Sequence, residues 1–327
     1  MKHLLVVLAL LFAGTGALAQ SLTVYSGRNE EFIEPVAKTF TAETGIQVEV
    51  RYGDTAELAA TLLEEGQNSP ADVFLAQDAG ALGALAKAGL FAELPAATLE
   101  KVEPRFRSAD DLWVGVTGRA RVLAYNTDVY TPETLPTSVF DLTNEAYRGR
   151  VGWAPSNGSF QAFVTAMRVL EGEDRTREWL TGMIDNDVQV YSDNSSQLEA
   201  IGRGEIDLGL VNHYYLYRYL AEQGEAFPVR NHYFADADLG SLINVAGAGI
   251  LGTTDQPEEA QAFVDYLLGK SAQQRFTDAV FEYPLVSRIQ TNERLVPLSE
   301  IQSPELDLSN LDDLEGTLEL LAEVGAL

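Results

Sequence analysis

Short β segments and amphipathic helices follow one another along this chain, and a glycine closes most of the helices. Ser21–Tyr25 reads as a strand ending at Ser26-Gly27. A helix follows from Glu30 to Thr44, with Phe32, Ile33, Val36, Ala37 and Phe40 at helical spacing, and Gly45 stops it. Ile46–Tyr52 alternates apolar and polar side chains, as a half-buried strand does. Glu57–Glu65 is a helix closed by Gly66, Asp72–Leu75 a buried strand, and Ala79–Ala88 a helix closed by Gly89. Alternation of this kind, with short links, restricts the chain to a mostly parallel sheet covered by helices.

The alternation pauses twice. Leu112–Val116 and Arg121–Tyr125 are β-rich pieces flanking Thr117-Gly-Arg119. A second strand–helix series starts at Val151–Trp153 and runs through Ile206–Val211, and a third β-rich piece, Ile243–Leu251, precedes helices at about Pro257–Leu268 and Ser271–Val280. Arg121–Tyr125 and Ile243–Leu251 are read as two crossover strands. The expected fold is α/β with two lobes joined by these two crossings and a ligand cleft between them, the plan of a hinged binding protein. Lobe 1 is expected at residues 20–120 plus about 248–295, and lobe 2 at about 121–247 plus about 296–327. The acidic tail from Ser303 ends in a helix near Leu311–Val324, expected to pack on the second lobe. A chain of 327 residues with 46% hydrophobic content supports two such cores.

The first 19 residues carry Lys2, an apolar run from Leu4 to Ala13 and a small-residue end at Ala17-Leu-Ala19. This pattern predicts a signal peptide cleaved after Ala19, and hence an extracytoplasmic protein. The run is too short to span a bilayer, and no later apolar segment matches it, so the mature chain is not expected in the membrane. Absence of cysteine excludes disulfides and thiolate metal sites. The net charge is −27, and removing the Lys2 segment makes it one unit more negative. Such a charge repels nucleic acid. It suits solubility in a saline habitat, or raises the cation concentration near a cleft.

Strand ends carry the candidate chemistry. Asp207–Val211 runs into Asn212-His-Tyr-Tyr215 at a predicted helix start, the edge at which open α/β sheets bind ligands. A helix N-terminus favours negative charge, so Tyr214 and Tyr215 can ionise there and hold a hard cation such as ferric iron. The competing reading is an aromatic packing stripe, to which Tyr217 and Tyr219 belong. His213 is either a ligand or a capping and packing residue. Arg28, after the first strand, is a fork donor for a bidentate anion or half of a surface ion pair. Arg119 and Arg121 share one strand face. Asn157-Gly158-Ser159 opens a helix and either cradles an anion or caps the helix. No Ser/His/Asp set with supporting context, HExxH or P-loop is present.

Val24-Tyr-Ser-Gly-Arg28, Ser69-Pro-Ala-Asp-Val-Phe74, Thr117-Gly-Arg-Ala-Arg-Val122, Gly204-Glu-Ile-Asp207, Asn212-His-Tyr-Tyr215 and Glu282-Tyr-Pro284 resemble periplasmic ferric-ion-binding proteins of iron ABC transporters, in the right order over the mature chain. The resemblance implies the two-lobe type II periplasmic-binding-protein fold, with iron in the interlobe cleft held by Tyr214 and Tyr215. Members with a histidine ligand carry it where this chain has Asn29. Those with a glutamate ligand carry it at Gln77, beside Asp78, and a third tyrosine of other members falls near Phe160. The family's anion-binding role falls on Asn157, Gly158, Ser159 and Asn194. Two phenolates leave about one positive charge on Fe3+, so a synergistic carbonate or bicarbonate is expected, with Arg28, Arg119 and Arg121 as further donors.

The expected function is a monomeric, non-enzymatic periplasmic receptor that delivers ferric iron to an inner-membrane ABC permease. One alternative is a receptor for a small oxyanion or phosphonate, with tyrosines that only stack or donate hydrogen bonds. Another is a secreted hydrolase using Tyr215 or an acid pair.

Overall fold

A computed structural model describes residues 21–327. The expected signal peptide lies outside the described residues. The strands are β1 (Ser21–Ser26), β2 (Gln47–Tyr52), β3 (Val73–Ala76), β4 (Val114–Asn126), β5 (Val151–Trp153), β6 (Gln189–Val190), β7 (Leu208–Asn212), β8 (Val229–His232), β9 (Ile243–Ile250) and β10 (Tyr283–Pro284). The α-helices are α1 (Glu30–Thr44), α2 (Thr55–Glu65), α3 (Ala79–Lys87), α4 (Ala96–Leu99), α5 (Gly158–Glu171), α6 (Glu173–Asp185), α7 (Asn194–Gly202), α8 (Tyr214–Gln223), α9 (Pro257–Leu267), α10 (Lys270–Arg275) and α11 (Leu314–Glu323).

Two lobes share one path of strands, β2-β1-β3-β9-β4-β7-β5-β6. On one side β1 lies parallel to β2 and β3, with β9 antiparallel to β3. On the other, β5 lies parallel to β6 and β7. β4 serves both. Its first part, Val114–Ala120, pairs with β9, and its second, Arg121–Asn126, with β7 and β8. The backbone passes between lobes inside β4 at Ala120–Arg121 and again just before β9, where Arg121 N–H donates to Leu242 C=O at 2.8 Å.

Leu112–Val116 and Arg121–Tyr125 prove to be parts of one continuous buried strand. Gly118 between them is not a turn. β10 packs so closely that a Cβ there would meet Leu285 Cδ2 at 3.0 Å. The helices follow the apolar periodicity. α1 buries Phe32, Ile33, Val36, Ala37 and Phe40, and Gly45 ends it in the left-handed region with its N–H on Thr41 C=O. The expected helix over Ser271–Val280 is α10 followed by a π-helical turn, Phe276–Val280. In the second lobe Trp153, Phe160, Phe163 and Trp179 pack edge to face and tilted at centroid distances of 5.4–6.2 Å. The C-terminal segment touches both lobes: the turn Leu308–Leu311 lies on α3 and α11 lies on α5.

Candidate metal and anion site

A cleft of about 990 Å³ opens between the lobes. The N-terminal ends of α1, α2, α5 and α7 and the start of α8 meet around it. Each helix end brings unpaired amides and a positive dipole end, which favour negative charge. Glu30, Glu31, Asp54, Glu57 and Asp193 also line the walls. The entrance is therefore acidic, while its floor carries Arg28.

Asn212 ends β7 opposite Arg121 of β4, and helix α8 starts two residues later. Adjacent helical side chains leave the axis about 100° apart. The rings of Tyr214 and Tyr215 nevertheless stack, with centroids 4.3 Å apart and planes 27° from parallel. Tyr215 is half-buried and borders the cleft, whereas Tyr214 lies beneath it, fully buried. The Tyr214 hydroxyl has no hydrogen-bond partner. An unsatisfied buried hydroxyl costs about 1–3 kcal/mol. Burial and the neighbouring Tyr215 push the Tyr214 phenol well above its ordinary range, against the pull of Arg28 and Arg119. A strongly charged cation is what reverses that balance.

Three buried guanidiniums share this region, and the charges of Arg28 and Arg119 act on the Tyr214 phenol. Arg28 is held by Glu282, Nη2 to Oε1 at 2.7 Å, while Thr117 Oγ1 donates to Glu282 Oε2 at 2.7 Å. Burial lowers the Arg28 pKa, but Glu282 together with Tyr214 and Tyr215 outweighs it and the net shift is upward. Arg28 Nη1 has no partner, and neither has Nη1 or Nη2 of Arg119. Burial, reinforced by the charge of Arg28, lowers the Arg119 pKa. Arg121 donates to Leu210 C=O at 3.0 Å and lies over the rings of Phe160 and Phe163. Burial and Arg119 bring its pKa down to about 9, so it stays charged at neutral pH. Buried charges persist when they are paired. The unpaired nitrogens collected here are donors that an anion could satisfy.

The polar turn ahead of α5 is linked to this centre. Asn157 Oδ1 accepts from Ser159 N at 3.2 Å, from Ser159 Oγ at 2.5 Å and from Asn194 Nδ2 at 3.4 Å. Asn194 Oδ1 in turn accepts from Asn212 N at 3.0 Å. Asn157 is thus the cap of α5, with Gly158 on the cleft wall. Gln77 and Asn29 also line the cleft, Asn29 exposed at the start of α1. Asp78 is buried behind them as the cap of α3, accepting from Ala81 N at 3.2 Å, and burial raises its pKa.

His213 does not offer a free nitrogen. Nδ1 accepts from Ala120 N at 3.1 Å, which leaves Nε2 to donate to Phe281 C=O at 2.9 Å, and the ring stacks on Tyr283. Burial depresses its pKa to about 4. It is a neutral packing residue here. Phe160 lies inside the aromatic cluster of the second lobe, away from the cleft. Among the described residues no group of three or more His, Cys, Asp or Glu is arranged to hold a metal ion.

Three participants escape a reading of the sequence. Glu282 is 254 positions from Arg28, and nothing local marks their pairing. Thr117 reads only as part of a motif. Arg218 of α8 crosses the cleft to Glu31 of α1, Nη2 to Oε1 at 2.8 Å, and lies over the Phe32 ring at 4.9 Å. Spacing shows Arg218 on an exposed helix face and says nothing of the opposite lobe.

The bacterial extracellular solute-binding protein family matches residues 68–304. An Fe(3+)-binding periplasmic protein of Serratia marcescens is 35% identical over 310 residues, 94% of this chain and 91% of that protein. The crystal structure of iron-bound HitA from Pseudomonas aeruginosa superposes with TM-score 0.89 at 37% identity, covering 93% of this chain and 99% of the other. A Trichodesmium protein in complex with iron and citrate gives TM-score 0.81 at 28% identity, covering 94% and 99%. These relatives are binding proteins rather than enzymes, which disposes of the hydrolase alternative. This chain is a bacterial extracellular solute-binding protein, and it falls among the periplasmic ferric-ion-binding proteins of that family.

Proposed function

We propose that the protein binds ferric iron in the interlobe cleft through Tyr214 and Tyr215, together with a synergistic anion of the carbonate or bicarbonate kind, and delivers it to an ABC permease. The observation that carries this reading is the buried, unpartnered hydroxyl of Tyr214, whose ring stacks on Tyr215 and which feels the charges of Arg28 and Arg119, both with unpaired guanidinium nitrogens. An aromatic packing stripe has no use for an orphaned oxygen beside orphaned arginines, whereas phenolate ligation satisfies both. Fe3+ is a hard cation that prefers oxygen donors and favours the phenolate form. Arg28, Arg119 and Arg121 are the charged donors for the anion, and Asn157, Gly158, Ser159 and Asn194 form its polar wall. Asn29 and Gln77 line the same cleft and complete its floor and rim.

The relatives agree: the Serratia protein is an Fe(3+)-binding protein, and the Trichodesmium one is in complex with iron and citrate. Among the described residues no helix is long and apolar enough to cross a membrane. Cleavage after Ala19 leaves a mature chain that begins one residue before β1, and it acts as a monomer. Closure of the lobes over the metal gives the permease a shape to recognise.

A visible spectrum of protein loaded with ferric iron and bicarbonate, paired with metal analysis, tests the reading. A phenolate-to-iron charge-transfer band at one iron per chain is expected. A colourless protein that binds an oxyanion without iron would favour the oxyanion-receptor alternative, to which the unpaired guanidiniums are equally suited.

The Arg218–Glu31 pair spans the two lobes. Both side chains are partly exposed, so the pair is worth no more than about 1 kcal/mol. Arg218→Ala is expected to leave thermal stability within that margin yet speed iron release to a competing chelator by roughly threefold to fivefold. Stopped-flow loss of the coloured band measures it, and an unchanged rate would show that the pair does not restrain opening.

A further inference from the structure

Glu282 reaches the floor of the cleft from an unusual stretch of backbone. The π-helical turn Phe276–Val280 follows α10, and Phe281 then adopts a left-handed conformation at φ 61°. π-helical turns are frequent at functional sites, and a bulky residue at positive φ is held only where its surroundings demand it. Here the demand is visible. Phe281 C=O accepts from His213, and Glu282, fully buried, accepts from Arg28 and Thr117, each at 2.7 Å. Those partners lie on different elements: Arg28 follows β1 and Thr117 belongs to the long strand β4. One edge of Arg28 is thereby fixed, and Nη1 is left without a partner on a residue that lines the cleft.

The charge count gives this arrangement a second meaning. Arg28, Arg119 and Arg121 are buried, and the carboxylates buried with them are Glu282 and Asp78. The cluster is left with one excess positive charge.

We propose that Glu282 is a positioning residue for the anion: it pins Arg28 so that Nη1 is the donor the anion meets, and it cancels one buried charge so that the site selects a doubly charged oxyanion. The proposal rests on the reading of Fe3+ held by two phenolates. That ion retains one positive charge and the cluster supplies another. A dianion such as carbonate closes the balance, a monoanion leaves an excess, and a trianion overshoots.

The test uses wild type, Glu282→Gln and Thr117→Val. Each receives ferric iron as its nitrilotriacetate complex, and the charge-transfer band is followed while bicarbonate or citrate is titrated. Glu282→Gln keeps the shape of the side chain and removes its charge. Its ratio of citrate to bicarbonate midpoints is expected to move at least tenfold toward citrate. Thr117→Val leaves the charge and removes one tether of Glu282. It is expected to raise both midpoints about threefold and to leave their ratio unchanged. A folded Glu282→Gln with the wild-type ratio overturns the proposal. Should that variant fail to fold, Thr117→Val decides, and midpoints equal to wild type overturn it. A colourless wild type defeats the tyrosine reading along with this one, whereas a coloured wild type with unmoved variants defeats this one alone.

Discussion

Tyr214→Phe is expected to make the iron-free protein more stable and to abolish useful iron binding. The two effects have one cause. In the iron-free state the Tyr214 hydroxyl is buried without a partner, so deleting it removes a desolvation cost of about 1–3 kcal/mol. The ring remains to stack on Tyr215, so no cavity opens. In the loaded state proposed above the same oxygen is a metal ligand. Losing an outer-shell partner of a metal site typically costs about 10–100-fold in affinity, and losing a ligand should exceed about 100-fold. Tyr215→Phe sits at the cleft and should share the loss of affinity without the gain in stability, because its hydroxyl is not among the orphaned buried atoms. The double variant should be colourless. Thermal melting of the apo proteins and ferric titrations followed at the charge-transfer band measure both halves. A destabilised Tyr214→Phe that still binds iron would mean that the phenol is merely packed.

Arg28→Met and Arg119→Met should move stability in opposite directions, although both residues are buried arginines on the same floor. Arg28 is the partner of Glu282, whose carboxylate is wholly inaccessible. Removing it leaves an unpaired buried charge, a loss on the order of 3–5 kcal/mol. Arg119 makes no hydrogen bond through its terminal nitrogens. Its replacement by an apolar chain of similar length removes a poorly compensated charge and also relieves repulsion on Arg28 and Arg121. Arg119→Met should therefore be neutral or stabilising by about 1 kcal/mol or more. Both variants should need more bicarbonate for iron binding. Urea denaturation of the apo proteins distinguishes the signs, and equal destabilisation would show that Arg119 is satisfied by the fold itself.

Much of the architecture is legible in the chain because its local rules agree. Phe32, Ile33, Val36, Ala37 and Phe40 lie on one helical face, Gly45 supplies the left-handed stop, and the all-apolar run Val73–Ala76 is a strand buried on both sides. The site is legible where strand ends meet helix starts, which is how Arg28, Asn157 and the tyrosine pair stand out. What stays hidden depends on contacts that no window of sequence contains. Gly118 separates two β-rich pieces in the sequence, and only the packing of β10 against it shows why a glycine sits inside one continuous strand. Tyr214 and Tyr215 are equivalent in the sequence, and only the packing of α8 buries one and leaves the other at the cleft. His213 can be read as a ligand or as a packing residue until the structure shows β4 and Phe281 occupying both of its nitrogens. Glu282 belongs to a recognisable motif, yet its role arises from a π-helical turn that places it against a residue 254 positions away.

Crystals grown with ferric iron and bicarbonate, with diffraction recorded on either side of the iron absorption edge, bear on the centre of this reading without reference to colour or stability. One anomalous peak should lie between the lobes within about 2 Å of the hydroxyl oxygens of both Tyr214 and Tyr215, a distance typical of hard metal–oxygen bonds. A peak elsewhere in the cleft, or one bonded to Tyr215 while Tyr214 keeps its proton and its buried position, would contradict it.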